Sequence, residues 1–161
     1  MTIHMTAPLE VGIACRDLLA QRAFYEGVLG LQFVSEFLVP ADKASAAALC
    51  PEHYIVVRLQ TNRGERIKLL ARATPTAAEA PGEWILDRPN ATYLTFILDD
   101  IDAAIADLQR AGVEFMTGPQ RVEVRPGVYL AFCRDPEGNV LELVQYENIG
   151  DYRPDLINGA S

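Results

Sequence analysis

Two hydrophobic rhythms alternate along the chain, one repeating every second residue and one every third or fourth. Val11 and Ile13 alternate with Glu10, Gly12 and Ala14, which predicts a strand over 9–15. Asp17 supplies a side-chain oxygen suited to cap a helix start. The helix it opens runs to about Leu29 and stops at Gly30, a residue that turns left-handed without steric cost. Residues 31–39 alternate again, residues 41–49 form a short Ala-rich helical insertion, and residues 54–60 and 66–71 read as strands. Thr61-Asn62-Arg63-Gly64 is the turn between the last two. From Ala73 to Pro89 the rhythm breaks in a stretch rich in Ala, Pro and Glu, a predicted surface linker.

The pattern then restarts. Residues 92–98 read as a strand, and Asp100 or Asp102 caps a helix with Ile101, Ala104, Ile105 and Leu108 on one face. Gly112 ends that helix. Strands are predicted over 113–116, 128–133 and 140–145, with Asp135-Pro136-Glu137-Gly138-Asn139 as the last turn. The tail, Glu147 to Ser161, lacks periodicity and is expected to wrap the surface or a partner subunit. At one offset Asp17 matches Asp100 and Glu10 matches Tyr93. With one residue dropped, Gly30-Leu31-Gln32-Phe33 matches Gly112-Val113-Glu114-Phe115. Two copies of strand–helix–three strands therefore lie in one chain, too few for a solenoid. The expectation is an α+β fold, two tandem βαβββ modules with their helices outside and a shared curved-sheet cup. Its parts are a first module over 9–72, a linker over 73–90, a second module over 91–146 and a tail over 147–161, all in one domain.

Composition narrows the function. The chain has 161 residues, half of them apolar and 22% charged, which suits a compact globular domain. No apolar run approaches the ~20 residues of a membrane span, and residues 1–9 do not read as a signal peptide, so a cytoplasmic protein is expected. Three cysteines without a CxxC pattern, Cys15, Cys50 and Cys133, argue for buried reduced thiols rather than disulfides or structural zinc. A net charge of −8 with no basic stripe argues against nucleic acid as partner. The acidity keeps the chain soluble, and it could also steer a cationic ligand.

Asp17 to Phe33, with Phe24-Tyr25 and Val28-Leu29-Gly30, resembles the first helix and second strand of the vicinal oxygen chelate superfamily: glyoxalases, bleomycin-resistance proteins and extradiol dioxygenases. Leu98 to Ala104 is similar to the start of that family's second module. Arg134 to Leu143 is similar to its most recognisable stretch. The resemblance covers residues 9–146 and implies the paired-module fold and a homodimer. Fold alone does not select an activity in a family that holds isomerases, lyases, dioxygenases and drug binders.

The resemblance also implies a site. The positions that match the family's metal ligands are Glu10, Lys68, Tyr93 and Glu142, and only Glu142 has the common identity. An ammonium has no lone pair to give a metal, so no tightly bound cofactor is expected. If a divalent metal is present, Glu10 and Glu142 would hold it, with His53 as a possible third ligand. Each of the four positions is flanked by apolar neighbours, which orients it into the cup. Arg58, Gln60 and Thr95 are expected on the same concave face as substrate-binding groups. Two further readings stand beside catalysis: a buried Lys68–Glu142 ion pair and a plain Glu10–Tyr93 hydrogen bond. Trp84 is expected to cover an edge of the core, and Cys133 is not expected to be a nucleophile. The first expected function is metal-independent acid–base chemistry, an isomerase, cyclase or lyase acting on a small organic acid, ketone or aromatic. Glu10 or Glu142 would be the base, a partner carboxyl or Tyr93 the acid, and Lys68 the stabiliser of developing negative charge. The alternatives are a binding protein that sequesters a cationic drug, and a divalent-metal-dependent glyoxalase or dioxygenase.

Overall fold

The computed structural model describes residues 3–87, 89 and 91–158. The chain divides into two compact units, Met1–Ala80 and Pro81–Ser161.

In the first unit, β1 (Glu10–Cys15), β2 (Gln32–Val39), β3 (Tyr54–Gln60) and β4 (Arg66–Arg72) form a mixed sheet in the order β1-β4-β3-β2. β1 runs parallel to β4, and the other pairs are antiparallel. α1 (Leu18–Arg22) begins at Asp17, whose carboxylate accepts from the Ala20 amide at 3.0 Å. The helix then widens into a π-helical segment, Ala23–Val28, and the chain leaves it through Gly30 at φ 74°. α1 packs against β4. The side of the sheet that carries Ile13, Val57, Leu59, Ile67 and Leu69 is buried, as is Tyr25, which is fully enclosed. β2 has a bulge between Phe33 and Ser35 that absorbs one extra residue.

Apart from 113–116, the predicted strands match the observed spans to within one residue at each end. Leu9, the last residue before β1, is 66% exposed. The Ala-rich insertion is shorter than expected. α2 (Ala41–Ala46) ends because Ala48 takes a positive φ of 58°, turning the chain out of the helix. Ala44 of α2 is buried against Tyr54 and Val56, with Val39, Cys50 and Leu70 around them.

The second unit repeats the plan. β5 (Tyr93–Ile97), β6 (Val122–Arg125), β7 (Val128–Arg134) and β8 (Val140–Tyr146) follow the order β5-β8-β7-β6, with β5 parallel to β8. α3 (Ile101–Arg110) is capped by Asp100, which accepts from Ala103 N at 2.9 Å, and it packs on β7 and β8 through buried Ile101, Ile105 and Leu108. Gly112 ends it at φ 84°. β6 also carries a bulge, between Glu123 and Arg125. The predicted strand over 113–116 does not form. Phe115 makes a single bridge to Cys133, and Met116 N bonds Phe132 O at 2.7 Å. Gly118 and Pro119 then turn the chain away, since proline has no N–H for a ladder. Pairing resumes only at Val122, so β6 is the edge strand that the sequence reading missed.

Between Arg72 and Tyr93 the described residues hold one short 3-10 turn, Ile85–Asp87. Trp84 in this stretch is 68% exposed and covers no core, contrary to expectation. The tail forms two short helices, α4 (Ile149–Tyr152) and α5 (Asp155–Asn158), and Tyr152 stacks on Tyr146 at 4.1 Å between ring centres. Residues 159–161 of the predicted tail lie outside the described residues. No helix among the described residues is long and apolar enough to cross a membrane.

Candidate functional site

Directly paired residues on neighbouring strands point to the same face of a sheet. In the first unit, the face away from α1 therefore carries side chains in rows. One row is Gln32, Gln60, Arg66 and Glu10, and the next is Ser35, Arg58, Lys68 and Gly12. A third, Phe37, Val56, Leu70 and Ala14, is apolar, and α2 closes over its Val56 and Leu70. The face thus grades from charged to apolar along the strands.

The two polar rows hold three cations and one carboxylate. Glu10 lies 3.6 Å from the Arg66 guanidinium and 3.6 Å from Lys68 Nζ. Arg66 Nε donates to Gln60 Oε1 at 2.8 Å. The Arg58 guanidinium sits over the Phe37 ring, 4.7 Å from its centre. Of the residues singled out in this module, Glu10, Lys68, Arg58 and Gln60 share the face as the alternation predicted. Arg66 and Phe37 were missed. Arg66 was legible, because it stands two residues before Lys68 on a strand whose side chains alternate. Phe37 was not, because its face depends on the bulge.

The second unit is built from other chemistry. By register Thr95 stands beside Glu142 and Glu142 beside Phe132, and the Thr95 hydroxyl donates to Glu142 Oε2 at 2.6 Å. Tyr93 opens β5 and meets Phe132 edge-on at 5.4 Å. Tyr146 lies two residues beyond Val144 on β8, in the alternation that also carries Glu142. Its hydroxyl is pushed up to about 12 by burial first, then by its bond with Tyr152. The two modules place opposite charges at matching points: Lys68 beside Gly12 in one, Glu142 beside Thr95 in the other.

The surroundings of Glu10 do not suit a divalent metal. Glu10 is already flanked by two cations within 4 Å, and a metal there would meet like charge. His53 is exposed and precedes Tyr54 at the far end of β3, whereas Glu10 is level with Gln60 at the other end. Seven residues of extended strand, roughly 23 Å, separate the two levels, so His53 does not join Glu10. Among the described residues no three His, Cys, Asp or Glu side chains form a metal-binding group.

The thiols offer no nucleophile on these faces. Cys15 and Cys133 are buried and Cys50 half-buried, and none of the three forms a disulfide. Burial, then the charge of Asp135, pushes the Cys133 thiol up to about 11, which keeps it protonated and unreactive.

Comparison with known proteins agrees with this architecture. The model of the Glyoxalase/Bleomycin resistance protein/Dioxygenase superfamily matches residues 3–143. A glyoxalase family protein from Bacillus cereus superposes with a TM-score of 0.74 at 22% identity, over 91% of this chain and 97% of that one. A glyoxylase/bleomycin resistance protein/dioxygenase domain from Frankia sp. gives 0.66 at 18% identity, over 89% and 93%. The trypanothione-dependent glyoxalase I of Leishmania major gives 0.64 at 20% identity, over 95% and 97%. No curated protein matches the chain. Identities this low speak for the fold and leave the reaction open, while the match over most of the length decides the family: the chain belongs to the Glyoxalase/Bleomycin resistance protein/Dioxygenase superfamily.

Proposed function

We propose that the protein is an acid–base enzyme acting on a small organic anion, without a metal ligand set at the family's usual positions. The observation that carries the reading is the excess of positive charge on the polar face of the first sheet, where Arg58, Arg66 and Lys68 stand against Glu10 alone. A chain with a net charge of −8 concentrates cations there. Cations fixed on a strand face favour a carboxylate or enolate and disfavour a cationic drug. In this reading Glu10 takes a proton from carbon next to a carbonyl. Lys68, 3.6 Å from Glu10, faces the oxygen on which negative charge gathers. In the second unit Glu142, steadied by the Thr95 hydroxyl, and Tyr93 form a separate set of proton-carrying groups. Gln60 holds Arg66 in place. Isomerisation, epimerisation, cyclisation and elimination all begin with this proton transfer.

The test is hydrogen–deuterium exchange at carbon, followed by proton NMR in heavy water across a panel of small oxo acids and ketones. The wild type is expected to speed exchange in at least one of them. Glu10→Gln should lower that rate by about 100-fold or more, and Lys68→Met by about 100-fold. Tight calorimetric binding of a cationic glycopeptide, with no exchange in any panel member, would instead make the protein a drug-sequestering module.

A further inference from the structure

We infer that the substrate is a 2-oxo carboxylate and that Arg58 is the residue that holds its carboxylate. The inference rests on the acid–base reading above and narrows it. Arg66 and Lys68, the other two cations of this sheet face, each have the Glu10 carboxylate within 4 Å. Arg58 has none among the described residues. It is half-buried on a strand, and its guanidinium lies over the ring of Phe37. That stacking fixes the plane of the guanidinium while leaving its N–H fork unspent. A planar fork with free donors matches a carboxylate through two parallel hydrogen bonds.

Position then sets the rest of the molecule. Arg58 and Lys68 are direct cross-strand partners, so their Cβ atoms stand about 5 Å apart. A carboxylate on Arg58 brings the adjoining carbon within reach of Lys68, and a 2-oxo group places its oxygen on that carbon. Glu10, next to Lys68, then lies toward carbon 3. The row is open at both ends. Ser35 flanks Arg58 on one side, and Gly12 gives β1 no side chain beside Lys68. A Cβ at residue 12 would crowd Leu70 Cδ1 at 3.2 Å.

The step balances within the substrate and Glu10. The carboxylate of Glu10 takes a proton from carbon 3, and the C–H electron pair forms the C2–C3 double bond. The carbonyl π pair moves onto oxygen, giving an enolate that faces the Lys68 ammonium. Return of a proton or deuteron to carbon 3 restores the ketone, with no oxidant or co-reactant consumed.

The test compares 2-oxobutanoate with 2-butanone, which has the ketone but no carboxylate, by deuterium exchange at carbon 3 measured with NMR. The wild type is expected to exchange 2-oxobutanoate far faster. Arg58→Met should lower kcat/KM for 2-oxobutanoate by about 100-fold, mainly through KM, and lower the 2-butanone rate by a far smaller factor. Arg58→Lys should recover only part, since an ammonium keeps the charge without the fork. Equal loss on both compounds, or a wild type that does not prefer the acid, would overturn the assignment of Arg58. Thermal midpoints of the variants within a few degrees of wild type exclude unfolding as the cause. Glu10→Gln separates the two claims: if it leaves exchange of both compounds unchanged, the acid–base reading itself falls.

Discussion

The charged residues of the first sheet differ in what surrounds them, and that difference decides which are structural. Glu52 accepts from Arg72 at 2.7 and 2.9 Å and from Thr74 at 2.9 Å, joining the end of β4 to the segment that follows α2. Those bonds hold its carboxyl below the usual 4.5, Arg72 first and Thr74 next. A carboxyl whose pKa falls on folding stabilises the fold above its unfolded pKa. The stabilisation is lost as pH drops through the folded value. Glu52→Ala should therefore lower the thermal midpoint at pH 7, and the gap to wild type should close below about pH 4. A gap that stays constant down to pH 3 would mean that packing, not charge, carries the effect. Arg58 is the counter-case, since no fold-holding ion pair consumes it.

Local signals in the sequence were sufficient for most elements. Asp17 and Asp100 both cap helices through the residue three positions on, and Gly30 and Gly112 both end helical segments at positive φ. The cap is a measurable contribution. Asp100→Ala should cost about 1 kcal/mol in urea unfolding, with an unchanged m-value. An unaltered midpoint would show that burial of Ile101, Ile105 and Leu108 alone holds α3. The alternation over residues 66–72 likewise predicted which side chains of β4 share a face. It failed where backbone conformation, rather than pattern, makes the decision. Nothing in Val113–Met116 announces that Gly118 and Pro119 will break the strand and move its pairing to Val122–Arg125. The π-helical turn after Arg22 and the two bulges are of the same kind, each adding a residue to a regular element without an obvious mark in composition. For the site, strand parity was enough to gather Glu10, Lys68, Arg58 and Gln60, and to place Thr95 beside Glu142. What escaped was the partner set, because Arg66–Glu10 contact and Arg58–Phe37 stacking depend on register between strands.

At the scale of the whole molecule, each unit has its own sheet, its own helix and its own buried apolar side. The connection between the sheets is exposed from Ala73 through Pro81 and has no regular structure there. Exposed irregular backbone is where proteases enter first. A Glu-specific protease at low dose should cut after Glu79 or Glu83 before any strand, leaving two fragments detectable by mass spectrometry. First cuts inside either sheet would show that a sheet opens more readily than the connection. The two units also show how far a repeated plan tolerates divergence. β2 and β6 both carry a bulge, yet the matching positions on β4 and β8 hold a lysine and a glutamate.

The bulge of β2 has a bearing on inheritance. Val34 is the residue it absorbs, and beyond it Ser35 and Phe37 join the row of Arg58 and the row beside it, while Glu36 turns to the other side and binds Arg22 at 2.7 Å. Paired without the bulge, the same eight residues would put Glu36 opposite Val56, diagonal to Arg58, and would send Phe37 to the far side. One acid would then quench the guanidinium that the anion needs. Val34 is in effect a spare letter between two words. A lineage could lose it and still read Ser35, Glu36 and Phe37 in their present frame, whereas closing the bulge with Val34 retained would garble all three.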